Sequence, residues 1–127
     1  MPVSFNNPHA VHPTGGRYMH AALIEGSGRR LVVSGQVGQT TDGTILPPEA
    51  QFAQALTNLR MVLEAHAMSL RNVVKTTAFL TDRAHLPAYR AAREAAFGDH
   101  VSASTLLFVA GLADPRYVFE IEAEAAD

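Results

Sequence analysis

The chain has 127 residues, a length that suits one domain and buries about two-thirds of the surface its unfolded chain would expose. Hydrophobic residues make up 47%, the formal charge is −2 and the pI is about 6.3, which excludes a disordered segment and lacks the basic footprint of a nucleic-acid binder. There is no cysteine, hence no disulfide, no thiolate nucleophile and no Cys-ligated zinc. No stretch approaches the roughly 18 apolar residues of a membrane span, and no charged start leads into an apolar run. The expectation is a soluble, cytoplasmic, single domain over residues 1–127.

Residues 1–16 carry Asn6, Asn7, Pro8, Pro13, Gly15 and Gly16 and read as an irregular lead-in arm. A first strand is predicted from Tyr18 to about Leu23, a turn at Glu25-Gly26-Ser27-Gly28, and a second strand from Leu31-Val32-Val33 into Ser34-Gly35-Gln36. Together they suggest an antiparallel hairpin, with Gly35 marking a bulge or a close backbone approach. After the turn Thr41-Asp42-Gly43-Thr44, Pro47-Pro48-Glu49 forms a helix start. Phe52, Leu56, Leu59, Leu63 and His66 recur at steps of three and four, predicting a helix over 49–67 with one buried face.

Val73 through Leu80 is a β-rich run containing Lys75. Asp82 is placed to cap a second helix, with Pro87 in its first turn and Gly98 just past its end. Leu86, Tyr89, Arg93, Ala96 and Phe97 share one side of that helix. Thr105–Ala110 and Tyr117–Ala125 read as strands around the turn Ala113-Asp114-Pro115-Arg116. The predicted order is β-β-α-β-α-β-β, an α+β fold with a mixed sheet and two helices on one of its faces. The other face would present Val33, Lys75, Thr77 and Phe79, too apolar to stay wet, which points to burial against another subunit.

The six histidines, His9, His12, His20, His66, His85 and His100, are scattered. None form an i, i+4 helical pair or a His-Glu-x-x-His motif, so neither metal nor cofactor is expected.

Several segments together resemble the Rid family (reactive intermediate deaminase, also called YjgF or L-PSP). They are Gly16-Arg17-Tyr18, Val33-Ser34-Gly35-Gln36-Val37, the helix around Asn58-Leu59, the run Val73–Asp82, and Phe119-Glu120-Ile121-Glu122-Ala123. Their order and spacing cover the chain from about residue 14 to 125. The resemblance implies a chorismate-mutase-like fold, a homotrimer with a central barrel, and ligand clefts between neighbouring subunits. It also implies hydrolysis of enamines and imines to a keto acid and ammonia.

Carried over residue by residue, the resemblance makes Glu120 the group that positions water. It makes Tyr18, Ser34 and Gly35 substrate-binding. The residues alone leave room for plainer roles. Glu120, Glu122 and Glu124 alternate as a solvated strand edge would, Tyr18 suits a core, and Gly35 suits a bulge.

One departure matters most. The family's carboxylate-binding arginine falls at Ser104, within Ala103-Ser104-Thr105, and a serine cannot supply arginine's bidentate fork. Ser104 and Thr105 stay candidates for the pocket wall, and Arg90 or Arg17 are candidates for a relocated cation. Against that, Arg90 with Glu94 at i+4 is an ordinary surface pair, and Lys75 is a structural lysine more readily than a Schiff-base nucleophile.

Two functions follow as expectations. One is an enamine or imine deaminase-like hydrolase of a small metabolite with altered substrate preference. The other is a non-catalytic small-molecule-binding trimer of the same fold. Nucleic-acid processing fits poorly with the acidic balance.

Overall fold

The computed structural model describes residues 3–26 and 28–127. Two short strands, β1 (Val3–Asn6) and β2 (Ala21–Ile24), pair antiparallel with each other. Then come β3 (Arg30–Val37), α1 (Pro48–Glu64), β4 (Val73–Leu80), α2 (Leu86–Phe97), β5 (Ala103–Phe108) and β6 (Phe119–Ala126). The last four strands form one sheet in the order β3-β6-β4-β5, antiparallel except for the β4–β5 pair. The α+β class, the mixed sheet and the two helices are those expected.

The helices cover one face because the sequence periods demand it. On α1, Phe52, Ala55, Leu56, Leu59 and Leu63 are all buried, at helical steps. On β6, Phe119, Ile121, Ala123 and Ala125 are buried while the intervening glutamates turn away, a strict period of two. Ala78 and Leu80 of β4 and Tyr89 and Phe97 of α2 complete this core. The small alanines of β6 let α1 settle closely on the sheet.

One polar group inside that core has a clear task. Gln51, fully buried in the first turn of α1, donates to the carbonyls of Leu46 and Arg116 (both 2.9 Å) and accepts from the Val118 amide at 2.9 Å. It ties the loop before α1 to the segment entering β6. Gly38 allows this approach, since a Cβ there would collide with the Cα and Cβ of Gln51.

Four expectations are corrected. The lead-in arm is not wholly irregular: Val3–Asn6 forms β1, whose Phe5 ring packs edge-on against His100 at 5.7 Å. The predicted hairpin does not form. The first predicted strand begins later, at Ala21, and pairs with β1, while β3 pairs with β6. Local alternation sets which residues face inward but carries no information on a partner some 90 positions away. The turn placed at Glu25-Gly26-Ser27-Gly28 includes Ser27, which lies outside the described residues, as do Met1 and Pro2.

Asp82 caps a single 3-10 turn, Arg83–His85, that leads into α2. Val33 belongs to the core at 4% exposure, and its neighbour Val32, 70% exposed, takes the open face instead. The remaining differences are shifts of a few residues at element ends. α1 stops at Glu64, β5 occupies 103–108 and β6 begins at Phe119.

The end of α1 closes as a Schellman turn, with Met68 N–H bonding the Leu63 carbonyl at 2.9 Å and Ala67 N–H that of Glu64 at 3.1 Å. The left-handed position is held by Ala67, φ 58°, where glycine is the usual residue.

Candidate functional site

The open face of the sheet is built in cross-strand rows. Val37, Glu120, Phe79 and Leu107 form one, and Glu122, Thr77 and Thr105 another. Opposite Glu122, β3 offers two residues, Ser34 and Gly35, because the register slips between Val33 and Gln36. This is a β-bulge, and it takes Ser34 and Gly35 out of the regular ladder. The Gln36 side chain donates to the Ser34 carbonyl at 3.1 Å, steadying the bend. From α1, the Asn58 amide donates to the carbonyls of Val37 (3.0 Å) and Gln39 (2.9 Å), pinning the strand beyond it.

Glu120 lies across this bulge. Its carboxylate, Cδ and Cγ sit where a Cβ on Gly35 would be, so only glycine leaves room for the side chain in this position. Partial burial pushes the Glu120 carboxyl above the ordinary carboxylate range, and the nearby Glu122 charge adds to the rise. The three glutamates of β6 thus differ in surroundings: Glu124 is held by Arg30, Glu122 is exposed, and Glu120 is tucked over the backbone.

Thr105 also faces the open side, where its hydroxyl receives the Lys75 amine at 2.6 Å. Lys75 is therefore engaged with a cross-strand neighbour.

Ser104 faces the other way. Its hydroxyl accepts from Thr76 at 3.1 Å on the helix side of the sheet, at a cavity of about 310 Å³. The cavity lies between the start of β5, the C-terminal half of α2 and the arm at Gly15-Gly16-Arg17. Gly15 and Gly16 both adopt left-handed φ, 70° and 76°, and this double bend brings Arg17 to the cavity wall. Arg93 lines it as well, with Glu94 and Ser102.

Of the two cations proposed from sequence, then, Arg17 is at this cavity and Arg90 is not among the residues that line it. Arg90 forms no ion pair with Glu94 among the described residues. Arg93 was the cation missed, although its helical position already placed it on the same side as Tyr89 and Phe97. Its guanidinium stands 5.7 Å from the Tyr89 ring centroid.

Tyr18 lies on the arm next to Arg17 and is not among the residues that line the cavity, its hydroxyl 3.1 Å from His12 Nε2 and its ring edge-on to His20 at 5.4 Å. The arm is anchored by the Met19 amide bonding the Ser102 carbonyl at 2.9 Å. Among the described residues no three His, Asp or Glu side chains converge as a metal would need. No helix among them is long and apolar enough to cross a membrane.

The candidates thus fall into two groups on opposite faces of one sheet. Glu120, Gly35, Ser34 and Thr105 belong to the open face; Ser104 and Arg17 belong to the helix-side cavity.

A mixed β3-β6-β4-β5 sheet with two helices on one face defines a class of small α+β protein, and solved structures share this fold. A Rid-family protein, YyfB from Yersinia pestis, superposes with a TM-score of 0.87 at 28% identity over 99% of both chains. RidA from an Antarctic Psychrobacter gives 0.75 at 27% identity over 87% of this chain and 88% of that one. A YjgF/YER057c/UK114 family member from Mycobacterium tuberculosis gives 0.68 at 28% identity over 87% and 86%.

The sequence model of the Endoribonuclease L-PSP family matches residues 9–127, and the chain belongs to that family, the Rid or YjgF proteins. A curated relative, the rat 2-iminobutanoate/2-iminopropanoate deaminase, is 39% identical over 70 residues. That match spans about half of each protein, 53% of this chain and 49% of the relative.

Proposed function

We propose that the protein is an enamine or imine deaminase, a hydrolase of a small metabolite's C=N bond, acting in the cytoplasm as a homotrimer. The observation that carries this reading is the Glu120 carboxylate, partly desolvated and seated over the Gly35 bulge. As water attacks the imine carbon, Glu120 takes the water proton, a C–O bond forms and the C=N π electrons pass to nitrogen. Glu120 returns that proton to nitrogen, giving a carbinolamine; it then takes the carbinolamine hydroxyl proton and passes it to nitrogen as the C–N bond breaks, so that the carbonyl forms and ammonia leaves. Tyr18 and the backbone at Ser34-Gly35 would hold the substrate beside that water. The resemblance to the rat 2-iminobutanoate/2-iminopropanoate deaminase supports the same chemistry.

Assembly enters through geometry. Glu120 and Ser104 cannot share one cleft within a single copy, because the sheet separates them. The open face also carries Val32 (70% exposed), Leu107 (45%) and the half-buried Phe79. Covering that face with a second copy would remove apolar surface from water and bring the Glu120 side of one subunit near another's cavity. Lys75 then serves as a structural lysine of the interface.

Ammonia release from imines generated in situ by an amino-acid oxidase tests the reading, with Glu120→Gln as control. Turnover that survives in Glu120→Gln would remove the proposed chemistry. A second reading, a small-molecule-binding trimer without catalysis, is favoured by Ser104 standing where the family's arginine is expected. A ligand bound and recovered unchanged, with no turnover of any imine in the panel, would decide for it.

A further inference from the structure

Arginines in this protein are mostly occupied. Arg29, Arg30, Arg60, Arg71 and Arg116 are each held by an acidic side chain, and Arg83 lies over the Phe108 ring at 4.4 Å. Arg17 and Arg93 form no ion pair among the described residues, yet both line the cavity at Ser104. Glu94 is the only acidic residue in that lining, so the two guanidinium groups leave an excess positive charge. Of the hydroxyls lining the same space, Thr76 donates to Ser104 and Ser102 to the Ala103 carbonyl, which leaves the Ser104 hydroxyl hydrogen as a donor for an oxyanion. The tandem left-handed glycines Gly15 and Gly16 set Arg17 against the mouth, while Tyr89 braces Arg93 from behind.

We infer that this cavity is an oxyanion-binding subsite in which Arg93 and Arg17 hold the acidic group of a substrate larger than the small 2-imino acids. The inference rests on the deaminase reading only for the substrate's reacting C=N bond; anion binding stands or falls separately. Planar forks from two directions suit a carboxylate or a phosphate equally. With Ser104 in place of a long side chain, about 310 Å³ beneath the arginines is left for the body of the substrate.

Isothermal calorimetry with glutarate, inorganic phosphate and the neutral glutaramide tests this on the intact protein. Saturable binding of glutarate, phosphate or both is expected, with none for glutaramide, and the pattern tells a carboxylate from a phosphate substrate. Affinity should fall about tenfold in Arg93→Gln and in Arg17→Gln, stay partly intact in Arg93→Lys, and remain unchanged in Arg90→Gln. Absence of saturable anion binding overturns the inference, as does binding indifferent to both Arg93→Gln and Arg17→Gln, or weakened by Arg90→Gln instead. Arg17 sits on the exposed arm, so its variant keeps the test open even where Arg93→Gln disturbs packing.

The deaminase reading is separated by adding Glu120→Gln. Anion binding by the unaltered protein, with turnover of no imine or with turnover that Glu120→Gln leaves unchanged, keeps the subsite and removes the chemistry. Glu120-dependent turnover of neutral imines, with no anion binding, does the reverse.

Discussion

The Glu120 carboxylate rests against the Gly35 backbone, in space that a single methyl group on Gly35 would occupy. Every atom in the way belongs to the flexible end of one side chain. Gly35→Ala should therefore push the carboxylate aside at little expense in stability, under about 1 kcal/mol, while imine hydrolysis falls at least tenfold. Parallel urea denaturation and ammonia-release assays check both halves. A variant with full turnover would separate Glu120's position from its chemistry.

Glu120→Gln should lower turnover about 100-fold or more, as expected when a positioned proton acceptor is removed. Stability should move the other way. Burial raises the carboxyl's pKa on folding, so the folded protein holds the extra proton and stability is lost as pH rises through that window. At neutral pH the ionised group is a burden that glutamine lacks. The variant should be the more stable at pH 7, with the difference shrinking below the ordinary glutamate pKa of about 4.3, as paired denaturation curves would reveal. The same rise places the acid limb of the pH–rate profile above that value.

Ala67→Gly should stabilise the protein by about 1 kcal/mol. The left-handed φ of 58° strains any Cβ, whereas the Schellman hydrogen bonds are backbone groups that glycine keeps. Thermal unfolding gives the sign directly, and a lower midpoint would mean that the alanine methyl contributes packing outweighing the strain.

Gln51→Leu should cost about 2–4 kcal/mol, because it leaves two carbonyls and one amide without their partner inside the core. Gly38→Ala should rival it, since there the clash is with the Cα and Cβ of α1 and not with a mobile tip. Chemical denaturation checks each in turn, and a loss under about 1 kcal/mol in either variant would show the prediction for that variant wrong.

Ser104→Arg should shift preference toward small 2-imino acids, lowering their KM by about tenfold, since a guanidinium would then reach into the cavity and grip a nearby carboxylate. Larger acidic imines should lose activity as the space fills. Comparing kcat/KM for the two substrate sizes in both proteins is the test.

What the sequence made legible was local. The stripe Phe52, Leu56, Leu59, Leu63 located α1, and the β-branched run located β4 from Val73 to Leu80 at both ends. The alternation of β6 separated its buried residues from its glutamates. What it concealed was partnership. Nothing in Leu31-Val32-Val33 announces β6 as its neighbour, and the polar, proline-bearing arm hid a strand that pairs with β2 while its Phe5 meets His100. The one-residue offset between Val32 and Val33 shows how phase is fixed by packing once a bulge interrupts the count.

At the site, the position and class of Glu120 were readable, whereas the placement of Ser104 and Thr105 on opposite faces follows simply from their being adjacent on a strand. Arg93 was readable in principle: it lies i+4 from the buried Tyr89, while Arg90 lies one step round the helix.

The bulge at Ser34-Gly35 also sets what a change of length in β3 would do. Removing one residue between Val33 and Gln36 would turn the two-against-one pairing into an even ladder. The pairs on either side, Val33 with Ala123 and Gln36 with Ile121, would keep their partners and their faces, so Gly38 would stay against Gln51 and the Val37 carbonyl against Asn58. The extra residue is thus surplus to the alignment of the sheet, and what its deletion would remove is the bend in β3 over which Glu120 lies.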